Sequence, residues 1–136
     1  MIRDDTGPLD GVILDTSALL YWTLAPDRLT PRAKRDIDGA KNVEILSVSL
    51  WEIALKHRKG ALELPGTIDE YRKRLFTVER LHIRSLDAPI AVAGALLDWT
   101  HRDPVDRWIT ALAMRREAPL ITSDRTIRDF YSRAVW

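Results

Sequence analysis

The sequence predicts a three-layer α/β domain with a central, mainly parallel sheet. Short apolar runs alternate along the chain with segments of helical pattern. That alternation implies right-handed crossovers and a parallel sheet covered on both faces. A chain of 136 residues fits one domain at roughly 100–200 residues each, so residues 1–136 read as a single unit. Hydrophobic residues at 46% and charged residues at 30% are ordinary for a folded chain and exclude a disordered one.

Residues 1–10 (MIRDDTGPLD) form a short acidic N-terminal extension. Residues 11–15 (GVILD) are an apolar run ending in a carboxylate, read as a buried strand. Thr16 or Ser17 then caps a helix to residue 25. Thr30-Pro31 is a cap followed by proline at the first helical position, opening a helix to about residue 41. Residues 44–47 read as a strand. Ser49 and Glu52 have capping-box spacing ahead of a helix that stops at Gly60. A polar helix follows over about 68–80. Residues 81–86 alternate as a strand, and Asp87 caps an Ala-rich helix to about Trp99. Asp103-Pro104 opens a helix to about Glu117. Residues 119–122 form a strand, Asp124 starts a short helix, and residues 134–136 form an edge strand.

Several classes are excluded at once. The chain has no cysteine, hence no disulfide framework, thiolate metal site or cysteine nucleophile. No secretory signal is visible at the start of the sequence. The longest apolar run, residues 90–97, falls far short of the roughly 20 residues that span a bilayer. The expectation is a cytoplasmic protein without a membrane partner. A formal net charge of +1 gives no basic domain, yet the charge is uneven. Residues 1–70 carry 9 basic and 12 acidic residues (net −3), and residues 71–136 carry 12 and 8 (net +4).

In open α/β sheets the site lies off the carboxyl ends of the strands. Four acids fall at such positions or at helix N-termini: Asp15, Glu52, Asp106 and Asp124. Each alone is explained by helix capping or by the helix dipole. Glu52, however, lies among Leu50, Trp51, Ile53, Ala54 and Leu55, and Asp106 shares a helical stripe with Ile109 and Ala113. Inward carboxylates are costly to bury unpaired. Several in one place repel unless a cation sits between them, and hard oxygen ligands favour Mg²⁺ or Mn²⁺. Such a centre suits phosphodiester hydrolysis by metal-activated water.

Three stretches, LDTSALLYW at 14–22, SLWEIALKHRKGALEL at 49–64 and HRDPVDRWITALAMRREAPLITSD at 101–124, resemble the VapC-type PIN-domain ribonuclease toxins of type II toxin–antitoxin systems. The resemblance covers nearly the whole chain. It implies a PIN-like α/β/α fold and a Mg²⁺-dependent endoribonuclease leaving 5′-phosphate and 3′-hydroxyl ends. It also implies Asp15, Glu52, Asp106 and Asp124 as metal-ligand carboxylates, a VapB-like antitoxin partner and a homodimer. Asp103 reads as the helix cap beside the ligands, with Thr16 and Ser123 as supporting hydroxyls. Val105 and Trp108 depart from the residues common in the family, and neither touches the acids.

Lys56, Arg102 and Arg107, with Arg58, Lys59, Arg125 and Arg128, are candidates to hold RNA phosphates. Of His57, His82 and His101, the last lies nearest the proposed acids and is read as an ordinary loop residue. Trp22, Trp51 and Trp99 are read as core or interface. Leu19, Leu20, Tyr21, Trp22 and Leu24 form the apolar patch that the resemblance assigns to subunit pairing and the antitoxin. A non-catalytic PIN-like module binding RNA or protein is the alternative, against which the complete acidic quartet argues. A phosphoacceptor receiver domain has similar length and alternation, but it needs an acidic pair at the first strand and a Lys near the last. Neither is present.

Overall fold

The computed structural model describes residues 7–136. The first six residues of the expected N-terminal extension lie outside the described residues. Five strands form one sheet in the order β3-β2-β1-β4-β5, and every neighbouring pair is parallel. The strands are β1 (Val12–Leu14), β2 (Val43–Leu46), β3 (Leu81–Arg84), β4 (Leu120–Ile121) and β5 (Ala134–Val135). Helices α1 (Thr16–Leu24) and α2 (Pro31–Asp38) connect β1 to β2, with a 3-10 turn at Pro26–Arg28 between them. Helices α3 (Val48–Arg58) and α4 (Ile68–Leu75) connect β2 to β3. The chain then returns through α5 (Ala88–Leu96) and α6 (Pro104–Arg115) to β4, and α7 (Arg125–Phe130) leads to β5.

Strand alternation splits the core into two layers. Val12, Leu14, Val43, Ile45 and Ile121 face α1 to α4, where Leu19, Ile37, Ile53 and Leu75 are buried. Ile13, Leu46 and Leu120 face the other way, onto Ile90, Ile109, Leu112 and Ile127 of α5 to α7. The α5–α6 pair packs closely because residue 94 is glycine. A Cβ there would stand 2.5 Å from Cδ1 of Trp108.

Most expected boundaries fall within a few residues of the observed ones. The exceptions have local causes. Asp15, not Thr16 or Ser17, caps α1, with Oδ1 accepting from Ala18 N at 2.9 Å. The Ser49–Glu52 capping box does not form: α3 begins at Val48, and Ser49 is buried inside the helix. The capping box of this chain joins Thr67 and Glu70 at the start of α4. Gly60 stops α3 as expected, at φ +77°, with Ala61 N donating to Lys56 O and Gly60 N to His57 O. That is the glycine-terminated helix end that satisfies the last carbonyls. Trp51 is 60% exposed and belongs to no core. Among the described residues no helix is long and apolar enough to cross a membrane.

Candidate active site

The chain builds β1, β2 and β3 outward in one direction, then places β4 and β5 on the far side of β1. The order therefore reverses between β1 and β4. A crevice at the carboxyl ends of those two strands is where this architecture binds ligands. Asp15 follows β1, and Thr122, Ser123 and Asp124 follow β4. Asp106 arrives from the first turn of α6.

Asp15 is 5% exposed. Its Oδ2 accepts from the hydroxyl of Thr122, and its Oδ1 accepts the α1 capping bond. Burial pushes its carboxyl up to about 7, the nearby charges of Asp106 and Asp124 add to the rise, and the two hydrogen bonds oppose it. Asp106 is likewise held above the usual carboxylate range. Burial is the main cause, the charges of Asp103 and Asp124 add to it, and His101 opposes it. Nε2 of His101 lies 2.8 Å from Asp106 Oδ2. A carboxylate only accepts, so the imidazole donates. Ligand atoms of His101, Asp106 and Asp124 all lie within 4.8 Å of one another.

Three of the four expected acids, Asp15, Asp106 and Asp124, thus form one electrostatic cluster. Glu52 stands on the adjoining α3 and is half-buried, outside the compact group of ligand atoms. It lies one turn beyond Ser49, whose Oγ accepts from the buried Thr16 hydroxyl at 2.9 Å. That bond ties the start of α3 to the residue following Asp15. Asp103 is exposed and caps α6, with Oδ1 accepting from Asp106 N at 3.2 Å.

Two residues were missed by sequence reasoning. Thr122 is fully buried; its hydroxyl donates to Asp15 and accepts from Asp124 N at 3.0 Å, so one side chain joins two acids. The signal was a Thr two residues before an Asp, the spacing of a hydroxyl turn, whereas Ser123 is half-buried and lends only its backbone carbonyl to Arg128, at 3.4 Å. His101 is the second, a member of the site and not an ordinary loop residue.

The basic residues divide. Lys56, Arg58, Lys59, Arg102, Arg125 and Arg128 are exposed. Arg107, expected at a phosphate, is instead turned onto backbone carbonyls of the 94–101 segment. The apolar patch expected on the first helix is mostly covered: Leu19 is buried, and Leu20, Tyr21, Trp22 and Leu24 are half-buried against the core.

Known proteins agree with this architecture. Over 120 residues the chain is 28% identical to Ribonuclease VapC22 of Mycobacterium tuberculosis, covering 86% of this chain and 89% of that protein. It superposes on VapBC2 from Rickettsia felis, solved bound to a promoter DNA fragment, with a TM-score of 0.64 at 16% identity, covering 91% of this chain and 95% of that one. A toxin–antitoxin complex from Klebsiella pneumoniae gives 0.58 at 18% identity, with 84% and 87% covered. FitAcB from Neisseria gonorrhoeae gives 0.57 at 20%, with 85% and 89% covered. The PIN-domain family model matches residues 12–132, from the first strand to beyond the last helix, and the chain belongs to the PIN-domain family.

Proposed function

We propose that this protein is a metal-dependent endoribonuclease, the toxin of a toxin–antitoxin pair, acting in the cytoplasm. One observation carries the reading: three carboxylates converge at the sheet's switch point with no Lys or Arg paired to them among the described residues, and one is buried with its carboxyl raised to about 7. Such a donor set fits a hard divalent ion, Mg²⁺ or Mn²⁺, since an ion between them removes their repulsion and restores the charged form. When bound, the ion makes a hydroxide-like nucleophile of water and stabilises charge on a phosphodiester.

Asp15, Asp106 and Asp124 would hold it, with Glu52 reaching in from α3. Thr122 fixes the spacing of Asp15 and Asp124. The N-termini of α1 and α6 favour the ionised carboxylates of Asp15 and Asp106. Exposed Lys56 and Arg102 would attract the RNA backbone. The relatives named as ribonuclease or toxin–antitoxin complex support the activity and an antitoxin partner. Trp22, Leu24, Tyr71 and Leu75 line an apolar groove between α1 and α4 that would receive that partner. The resemblance also implies a homodimer; an isolated chain that sediments as a monomer would remove it.

The test uses Asp15→Asn, which is nearly isosteric. The wild type with Mg²⁺ should cut RNA to 5′-phosphate and 3′-hydroxyl ends, and the variant should lose at least about 10³-fold in rate while keeping its circular dichroism spectrum. Undiminished cleavage by the variant would overturn the metal site. RNA binding without cleavage by the wild type would favour a binding module.

A further inference from the structure

Arg107 spends its whole guanidinium on backbone carbonyls. Its Nε donates to Gly94 O at 2.9 Å, Nη1 to Trp99 O at 2.6 Å and His101 O at 2.8 Å, and Nη2 to Leu97 O at 2.8 Å and Ala95 O at 3.3 Å. A guanidinium has five N–H groups in a fixed fork, and five carbonyls receive them. No N–H remains for a phosphate. Gly94 and Ala95 belong to the last turn of α5, whose carbonyls have no partner within the helix. Leu97, Trp99 and His101 belong to the loop that follows. One side chain from the first turn of α6 therefore closes the end of α5 and fastens the loop over 97–103.

That loop carries His101. Its imidazole is held from two sides: the backbone by Arg107, and the ring by Trp99, whose centroid lies 4.7 Å away. Trp99 is itself stacked on Phe130 of α7 at 4.5 Å and 12° between planes. The column leaves His101 Nε2 pointing at Asp106 Oδ2, and Asp106 is the residue next to Arg107. Gly94 admits this geometry, because α5 approaches the α6 residue next to Arg107 more closely than a side chain at 94 allows.

We infer that Arg107 is a positioning residue. It fastens the 97–103 loop so that His101 donates to Asp106 and fixes the direction in which that carboxylate presents its free oxygen to a divalent ion. The inference rests on the proposed metal site, and groups that orient ligands in this way are worth about 10–100-fold in metal affinity.

The experiment measures Mn²⁺ binding to Arg107→Lys, His101→Ala, the double variant and His101→Gln, all checked for folding by circular dichroism, with Arg107→Gln used if Arg107→Lys does not fold. Lysine supplies the charge without the fork. Arg107→Lys and His101→Ala should each weaken Mn²⁺ binding about 10-fold, the double variant should bind no worse than His101→Ala, and His101→Gln should recover most of the loss. In the metal-free protein, imidazole ¹⁵N spectra should show the His101 signal moved by Arg107→Lys. An unmoved His101 signal, or a further 10-fold loss when Arg107→Lys is added to His101→Ala, overturns the inference. A wild type that binds no Mn²⁺ overturns the metal reading instead, while the imidazole spectra still decide the role of Arg107.

Discussion

Asp15 and Glu44 are buried acids beside adjacent strands, 5% and 4% exposed, and the protein treats them in opposite ways. Glu44 faces the α5–α7 layer and meets Arg116, the residue just past the end of α6, with Nε and Nη2 each 3.2 Å from one of its oxygens. Its countercharge is covalently part of the chain. Asp15, past the end of β1, meets a hydroxyl, an amide and two further acids, and no cation among the described residues. A buried acid with its own guanidinium is architecture. A buried acid facing other acids is a candidate functional site.

Removing the cation from the first acid should cost most. Arg116→Met leaves Glu44 charged and buried, and breaking a buried pair from one side typically costs about 3–5 kcal/mol. Asp15→Asn removes a charge that was already unfavourable, so metal-free stability at neutral pH should be unchanged or higher. Urea midpoints of the two variants measure this directly. If Asp15→Asn is the more destabilised, the two acids do not differ in this way.

The same contrast has a pH signature. Asp15 in the folded chain holds its proton to about 7, whereas an unfolded Asp releases it near 3.8. Between those values the folded state binds more protons, so stability falls as pH rises and levels off above about 7. The full fall is at most about 4 kcal/mol, at 1.36 kcal/mol per unit. Asp15→Asn should flatten the profile between pH 4 and 7. Mn²⁺ should reverse it, since the ligands bind metal only when ionised. A metal-free wild type whose thermal stability is level across that window would show that Asp15 carries no such penalty.

Legibility in the sequence followed the same division. Asp15, Asp106 and Asp124 could be found because strand ends and helix starts are marked by local pattern, and the alternation of elements fixes which ends share a crevice. Arg107 was misread because a cation beside an acid looks like a phosphate contact; that it faces five carbonyls depends on how α5 ends and how near Gly94 lets it lie. His101 was undervalued for the same reason, since its neighbour Trp99 stacks on Phe130, a residue far along the chain. The Ser49–Glu52 spacing matched a capping box, but the helix began two residues earlier, and tertiary contact took Ser49 for Thr16.

Thr122 offers the finest division of the two acids. Its hydroxyl is the side-chain bond that opposes the effect of burial on Asp15, and it also accepts from Asp124 N. Thr122→Val keeps the shape and removes both bonds, which should cost about 1–2 kcal/mol at neutral pH. It should also raise the Asp15 carboxyl further, so that metal-free stability goes on falling above pH 7, where the wild-type profile has levelled. Thr122→Ser, retaining the hydroxyl, should follow the wild type. Glu44, paired with its own guanidinium, should make no contribution to that difference. A Val variant whose profile levels where the wild type does would mean that the hydroxyl fills space beside Asp15 without governing its charge.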